Sequence, residues 1–171
     1  MRRAEMTDYE QLTLFYKYVI DHTENMNVYT KWVYGQHPTD EMIRDYIKQD
    51  AMYVLEENGT ILASVAVTMS QGEDYHGIAW ADDLEDDDVA VVHILCVNPD
   101  YQKQKIGKYV VKECIRLAEK EDKKAVRLDA LECNKPAHKL YETLGFEYRG
   151  KKYWYAGNTG WIDFYFFEYE L

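Results

Sequence analysis

The sequence predicts a mixed α/β fold in a single domain, residues 1–171. Strand-like apolar runs and amphipathic helical patterns alternate along the chain, which is typical of this class. No internal repeat, low-complexity tract or Pro/Ser-rich linker divides it. With 171 residues, of which 47% are hydrophobic, the chain is long enough to bury a core of its own.

Apolar periodicity and turn signals predict the elements of the N-terminal half. Thr7 is a candidate N-cap, and Glu10 three residues later completes a capping-box pattern before an apolar face with helical spacing. Asn58 and Gly59 are a strong hairpin signal between two β-rich runs. We therefore expect, in order, a strand at 1–5, a helix from Thr7, a helix from near Thr39, and antiparallel strands at 52–56 and 61–68.

The C-terminal half begins with a nearly all-apolar run, residues 89–97, which predicts a central strand covered on both faces. If the helix that follows makes the usual right-handed crossover, the next strand is parallel to it. Asn134 is placed to cap a short helix, and Gly145 is placed to end it. The remaining expected elements are a helix from Ile106, a strand at 125–131, a helix from Pro136, and a closing hairpin of strands at 148–155 and 162–169.

Charge and composition exclude several classes of protein. The formal net charge of -11 argues against a nucleic-acid surface and favours a cationic partner. No run approaches the roughly 18 to 20 apolar residues of a membrane span, and we expect a cytoplasmic protein with no membrane contact. The spacing of the three cysteines fits neither a disulfide framework nor a metal site. The acidic run at 82–88 is expected to be a solvated loop or, alternatively, a lip that attracts an amine.

Residues 97–108 are the most informative segment, because an apolar strand ends there in a turn that opens directly into a helix. The unpaired N–H groups and the positive dipole end of such a helix converge on an anion. Lys103, Lys105 and Lys108 add positive charge, and Gly107 allows a ligand to approach the backbone closely. The segment therefore predicts a phosphate-binding site.

Two motifs extend this prediction. The pattern V-x-P-x-x-[QR]-x-x-G-x-[GA] matches at Val97, Pro99, Gln102, Ile106 and Gly107, with Lys105 in place of the first glycine. The pattern N-x-x-A-x-x-x-Y-x-x-x-G-F matches without a departure at Asn134, Ala137, Tyr141, Gly145 and Phe146. Both motifs, in this order and with a predicted strand between them, resemble those of the GNAT superfamily of N-acetyltransferases. The resemblance covers nearly the whole chain.

The resemblance implies a GNAT-like domain with a mixed, mostly antiparallel twisted sheet of about seven strands, a splayed parallel pair at the cofactor site and about four flanking helices. It also implies acetyl-CoA as cosubstrate, with the diphosphate on the loop and the pantetheine arm along the strand that bears Val97, and no metal. The residues expected to bind acetyl-CoA are Cys96, Val97, Gln102, Lys103, Gln104, Lys105, Ile106, Gly107, Lys108, Asn134, Ala137 and Tyr141.

By the same resemblance, the acetyl group passes directly to a primary amine in a ternary complex. Tyr141 holds the family's acid position, with a core tyrosine as the alternative. The backbone of Val97 or Cys96 is nominated to stabilise the thioester oxyanion. As base we favour His93, four residues before Val97 on the same strand face and titrating near neutrality. A buried core histidine is the alternative reading of His93, and Glu132 or the acidic run acting through a water are other candidate bases.

The acceptor is expected to be a small-molecule or peptide amine that carries positive charge. Trp32, Tyr34 and His37 of one loop, with Trp161 of the terminal hairpin, resemble the variable walls of the family's acceptor groove. Aromatic walls hold a cation or an apolar group equally well, and core packing or a homodimer contact are alternatives for these residues. Two other functions stay open: a catalytically silent acyl-CoA-binding sensor, and an interaction module without cofactor.

Overall fold

The computed structural model describes all residues from 1 to 171, and its architecture is mixed α/β as predicted. The seven strands are β1 (Arg2–Arg3), β2 (Met52–Glu57), β3 (Thr60–Thr68), β4 (Val89–Val97), β5 (Ala125–Leu131), β6 (Glu147–Ala156) and β7 (Gly160–Glu170). The five α-helices are α1 (Tyr9–His22), α2 (Met26–Tyr29), α3 (Asp40–Lys48), α4 (Ile106–Lys120) and α5 (Lys135–Thr143). No helix combines the length and apolar character that a bilayer crossing requires.

All strands belong to one sheet, in the order β1-β2-β3-β4-β5-β7-β6. Every neighbouring pair is antiparallel except β4 and β5, which are parallel and joined by the α4 crossover. The predicted mostly antiparallel sheet with one parallel pair is therefore confirmed, and β6 and β7 form the predicted terminal hairpin.

Helices cover both faces of the sheet. Helix α4 buries positions spaced by three and four residues, among them Val111, Cys114 and Ala118, against one face. Helices α1 and α3 bury residues such as Leu12 and Ile43 against the other face. The predicted central strand β4 contributes side chains to both cores, which is why its sequence is apolar without alternation.

Strands β4 and β5 pair only at their beginnings. Their register runs from Val89 opposite Ala125 to Val92 opposite Leu128, although both strands continue beyond these residues. Strand β5 remains paired with β7 up to Leu131. The sheet therefore opens into a gap between the second halves of β4 and β5, and this gap is the predicted splayed pair.

A β-bulge in β4 lies where the gap begins. Between Ser64 and Ala66 the β3 strand advances two residues, whereas β4 advances three, from Cys96 to His93. Ile94, inside the bulge, has a φ of 40°, a left-handed conformation that costs a β-branched residue on the order of 1–2 kcal/mol. Because the bulge adds one residue to β4, the alternation of side chains between the two faces of the sheet is shifted by one residue beyond it.

The hydroxyl of Tyr16 holds this bulge. Tyr16 is fully buried in α1, and its O–H donates to the Ile94 carbonyl at 3.0 Å. The same oxygen lies 3.2 Å from the Ser64 hydroxyl, which sits opposite the bulge on β3. A carbonyl that the bulge turns out of the strand ladder thus regains a hydrogen bond in the core.

Two details of the N-terminus correct the sequence-based prediction. The first strand is only Arg2–Arg3, because the chain turns after Ala4 into a 3-10 helix at Met6–Asp8. Thr7 lies inside that turn and is not an N-cap, so this prediction was wrong. The Asp8 carboxylate instead accepts the Glu5 N–H at 2.7 Å.

The segment between β3 and β4, residues 69–88, contains the acidic run and is anchored by a buried ion pair. The side chains of Arg127 and Glu168 are each 1% exposed and lie 2.8 Å apart. Arg127 also donates to the Gln71 side chain at 2.7 Å, and Glu168 accepts the Ala81 N–H at 2.9 Å. Most carboxylates of the acidic run stay exposed, which agrees with a solvated loop.

We expect Tyr16→Phe to lower the free energy of unfolding by about 1–3 kcal/mol, because it leaves the buried Ile94 carbonyl without its donor. Urea denaturation measures this change. Tyr18→Phe is the matched control, since it removes a partly exposed hydroxyl from the same helix that bonds only Asp100. A loss as large in Tyr18→Phe as in Tyr16→Phe would contradict this account of the bulge.

Candidate functional site

The turn between β4 and α4 presents a row of free donors. Six consecutive backbone N–H groups, residues 103–108, make no hydrogen bond within the protein; the next one, of Tyr109, bonds the Lys105 carbonyl at 3.1 Å. These N–H groups lie at the positive end of the α4 dipole, and no acidic residue occupies the first turn. The turn is therefore built to bind an anion such as a diphosphate.

Lys105 is the residue that departs from the glycine of the motif, and its backbone explains how the turn forms without that glycine. It is the N-cap of α4 and has a φ of 64°, in the left-handed region that glycine favours. Lys103 has the same φ. The chain thus keeps the left-handed path and bears a cost on the order of 1–2 kcal/mol for each side chain.

A cavity of about 600 Å³, the outer cavity, lies beside this turn. Its opposite wall is the connection from α1 to α2, including Thr23 and Asn25. A Cβ on Gly107 would lie 3.5 Å from Leu140 and 3.8 Å from Val97, which are ordinary van der Waals distances, so packing within the protein does not require glycine at this position. The predicted cofactor-binding residues that line the outer cavity are Val97, Gln102, Lys103, Lys105, Ile106, Gly107, Lys108 and Asn134.

A second cavity of about 330 Å³, the inner cavity, occupies the gap between β4 and β5. Asn134, Thr30 and Leu140 line both cavities, so the two cavities adjoin, and together they are called the groove. Asn134 also caps α5, as predicted, by accepting the Ala137 N–H at 3.3 Å. The groove thus leads from the anion-binding turn into the splayed part of the sheet.

Tyr141 lines the inner cavity and is 7% exposed. Its hydroxyl makes no hydrogen bond within the protein, so it is available to a ligand. Burial, followed by the nearby charge of Asp129, raises the pKa of Tyr141 well above its usual value. The phenol therefore keeps its proton at neutral pH.

Asp129 on β5 also lines the inner cavity, and the sequence reasoning did not select it. Its carboxylate accepts the hydroxyl of Tyr75, from the segment at 69–88, at 2.6 Å. Burial raises the pKa of Asp129, and the bond from Tyr75 opposes this shift. The available signal was a carboxylate inside a strand that is apolar apart from Asp129 and Arg127, but Tyr75 is far away in sequence.

His93 lies on a different face from the one the sequence predicted. The bulge places His93 against α3, where it stacks on Tyr46 with ring centroids 5.6 Å apart, whereas Val97 packs towards α4. Burial lowers the pKa of His93 to about 4, so its titration near neutrality was also wrongly predicted. His93 nevertheless lines the inner cavity, whereas Glu132 lines neither cavity.

The tautomer of neutral His93 follows from its neighbours. Its Nε2 lies 3.2 Å from the Thr68 hydroxyl, and that hydroxyl donates to the Ser70 carbonyl. Thr68 therefore accepts a hydrogen from Nε2, which leaves Nδ1 unprotonated. His93 is thus a neutral, weakly basic group at the edge of the inner cavity.

The predicted acceptor residues divide into two groups. Trp32 and His37 line the inner cavity, whereas Tyr34 and Trp161 do not. Tyr34 bonds Asp40 through its hydroxyl, and Trp161 is 63% exposed.

The terminal hairpin contributes Trp154 and Phe164 to the inner cavity instead of Trp161, and their ring centroids are 4.8 Å apart. In the hairpin, Trp154 pairs with Ile162, and the next pair is Tyr155 with Trp161. Side chains alternate between the two faces of a strand, so this one-residue difference places the two tryptophans on opposite faces.

Cys96, Gln104 and Ala137 complete the predicted set. Ala137 lines the inner cavity, whereas Gln104 and Cys96 line neither cavity. Burial raises the pKa of the Cys96 thiol, which therefore stays protonated and unreactive. No group of three or more His, Cys, Asp or Glu side chains is arranged to hold a metal ion.

The backbone N–H groups of Cys96 and Val97 point to opposite sides of β4. The Asn98 N–H donates to the Leu62 carbonyl on β3 at 2.8 Å. Because the N–H groups of alternate residues point to the same side of a strand, the Cys96 N–H also faces β3. The N–H of Val97 therefore faces the gap.

A seven-stranded sheet that opens at its parallel pair, with an anion-binding turn at the following helix, defines an N-acetyltransferase fold. The chain belongs to the acetyltransferase (GNAT) family, whose family model matches residues 14–146. A relative described as an uncharacterised N-acetyltransferase, from Methanocaldococcus jannaschii, is 30% identical over 119 residues, which are 70% of this chain. The chain spans less than half of that relative, since the match covers 44% of its length.

Solved structures share the fold over nearly the whole chain. An acetyltransferase of the GNAT family from Streptococcus pneumoniae superposes with a TM-score of 0.72 at 21% identity, covering 99% of this chain and 97% of that one. A putative acetyltransferase from Salmonella typhimurium, solved with its cofactor acetyl-CoA, has a TM-score of 0.68 at 17% identity and covers 99% and 92%. Identities this low establish the fold and not the acceptor.

We expect Asp129→Asn to stabilise the ligand-free protein at pH 8, with a gain that shrinks as the pH falls towards 4. Because the folded pKa is raised above the ordinary value of 3.8, the native carboxyl retains a proton that the unfolded chain has lost, and stability falls as pH rises through that window. Asparagine removes the charge and still accepts from Tyr75.

Urea denaturation at several pH values checks this expectation, with Asp83→Asn as the control because Asp83 is exposed and makes no ion pair. A gain at pH 8 in Asp83→Asn equal to that in Asp129→Asn would assign the effect to net charge. A loss in Asp129→Asn at pH 8 would contradict it outright.

Lys105→Gly is expected to raise the free energy of unfolding by about 1 kcal/mol, because glycine carries no steric cost in the left-handed conformation. Lys105→Ala removes the same charge but keeps a Cβ, and it should show no such gain. Thermal or urea denaturation of the ligand-free variants measures the difference. Equal gains in both variants would show that the charge of Lys105, not its backbone, is responsible.

Proposed function

We propose that the protein transfers the acetyl group of acetyl-CoA to a primary amine by direct attack, with both substrates bound together. The observation that carries this proposal is the groove of two adjoining cavities, with the free N–H groups of residues 103–108 at one end and the unpaired hydroxyl of Tyr141 and the carboxylate of Asp129 at the other. One end fits a diphosphate, and the other has a proton donor and a proton acceptor.

The chain's own residues fit the long, anionic cosubstrate. The turn offers main-chain donors, and Lys103, Lys105 and Lys108 line the outer cavity around them. The N–H of Val97 faces the gap, where β4 has no partner strand, and would bind a pantetheine amide or the thioester oxygen. The Salmonella relative that was solved with acetyl-CoA supports this assignment.

Bound acetyl-CoA supplies the acetyl group: the amine nitrogen forms a bond to the thioester carbon, the carbon–sulfur bond breaks, and the products are an amide and the thiol. Tyr141 donates its phenolic proton to the departing sulfur, and the proton that the nitrogen loses as the amide forms restores the Tyr141 phenol. Asp129 accepts the proton that the ammonium must lose before attack. We assign this role to Asp129 and not to His93, because burial lowers the pKa of His93 to about 4, whereas burial raises the pKa of Asp129 and makes it the better proton acceptor.

Thiol release from acetyl-CoA in the presence of a panel of primary amines tests the proposal, together with the melting temperature with and without acetyl-CoA. We expect amine-dependent thiol release and a higher melting temperature. A higher melting temperature without release for any amine would favour the acyl-CoA-binding sensor. No change in melting temperature would favour an interaction module and overturn the proposal.

Tyr141→Phe is expected to lower kcat by about 100-fold, within the range for loss of one general acid, with little change in the KM for acetyl-CoA. Tyr148→Phe is the matched control, because Tyr148 is 47% exposed and lines neither cavity. Steady-state kinetics with one amine measure both variants. A fully active Tyr141→Phe enzyme would remove this hydroxyl from the mechanism.

A further inference from the structure

We infer that the acceptor is a small primary monoamine with an apolar body about the size of one ring. The inference rests on the proposed function and concerns the inner cavity alone. Three properties of that cavity carry it: the charges that line it, the aromatic side chains that enclose it, and its volume.

Asp129 is the only charged side chain that lines the inner cavity. One ammonium therefore finds one carboxylate. A second ammonium inside the cavity, as in a diamine, a polyamine or an aminoglycoside, would lose its water without gaining an anion, which is unfavourable. The carboxylate of a free amino acid would likewise find no cation and would lie near Asp129.

The two histidines of the cavity do not change this charge count. Burial lowers the pKa of His37 and of His93, so both rings are neutral at physiological pH. The other polar side chains of the lining are amides and hydroxyls, which bind a neutral group but do not neutralise a charge. The cavity thus offers a single negative charge in an uncharged surrounding.

The acidic run at 82–88 does not supply further carboxylates to this cavity, since none of its residues lines it. Asp86 is held by His76 at 2.8 Å and by Gln71 at 2.9 Å. The acidic run therefore does not act as an amine-attracting lip at the inner cavity. The net charge of -11 does not indicate a polycationic acceptor, because these carboxylates lie outside the cavity.

Aromatic rings enclose the space beside Asp129. Trp32 approaches from the loop after α2, Tyr46 from α3, and Trp154 with Phe164 from the terminal hairpin. At about 330 Å³ the cavity is at the lower end of the range for ligand sites, and the acetyl group must share it. The remaining space fits an apolar body of one ring, which the aromatic walls would contact on its faces.

Matched pairs of amines test the charge and the ring separately. Phenylethylamine and phenylalanine differ by one carboxylate, and pentylamine and 1,5-diaminopentane differ by one ammonium. We expect kcat/KM to be at least about tenfold higher for the monoamine of each pair, the factor that 1.4 kcal/mol gives. Phenylethylamine should also exceed ethylamine by a similar factor, since only the former fills the aromatic space.

The outcomes separate this inference from the proposed function. Thiol release that is equal or faster with the diamine, the amino acid or ethylamine overturns the monoamine inference while the proposed function stands. Faster release with a peptide N-terminus or a blocked lysine than with phenylethylamine overturns the small-molecule acceptor. No release with any amine overturns the proposed function itself.

Trp154→Leu provides a second, independent test. It should raise the KM for phenylethylamine about tenfold and the KM for ethylamine less than about threefold, because only the ring contacts Trp154. Tyr153→Leu is the control, since Tyr153 is 65% exposed on the same strand and lies outside the cavity. Equal increases for both amines in Trp154→Leu would contradict ring recognition, and melting temperatures confirm that each variant is folded.

Discussion

The hydrogen bond from Tyr16 to the Ile94 carbonyl is the interaction on which the rest of the molecule depends. A regular β4 would pair with β5 along its whole length and close the sheet. The bulge at Ile94 ends that pairing after Val92, and Tyr16 gives the displaced carbonyl a partner in the core. The gap, the inner cavity and the Val97 N–H that faces the gap all follow from this local defect.

The candidate acid-base chemistry depends on a second buried contact, made by the segment at 69–88. The ion pair of Arg127 with Glu168 fixes this segment on the sheet, and the segment in turn places Tyr75 against Asp129. Trp80 joins the two, because its ring lies 4.1 Å from the Arg127 guanidinium and its N–H donates to the Tyr75 carbonyl at 2.9 Å. The Asp129 carboxylate, whose burial is energetically unfavourable, is thus held in position through Arg127, Glu168 and Trp80, which take no part in the proposed reaction.

Local signals in the sequence predicted most of the fold. The strand-turn-helix junction, the cap at Asn134 and the turn at Asn58-Gly59 each depend on neighbours within a few residues, and the structure has all of them. The face of His93 and the exclusion of Trp161 from the cavity depend on strand parity, which one bulged or shifted residue reverses. Asp129 escaped selection because Tyr75 lies 54 residues away. Such contacts arise only from the assembled fold.

The anion-binding turn presents peptide groups, and every residue type except proline carries the same N–H. Substitutions along this turn can therefore change its side chains while leaving its donors in place, provided that the backbone keeps its left-handed steps. Lys105 illustrates this tolerance, since it takes the conformation of a glycine at φ 64°. Substitutions can therefore remove the characteristic residues of such a motif while the turn still binds its anion. A search for the sequence pattern alone will miss proteins that retain the site.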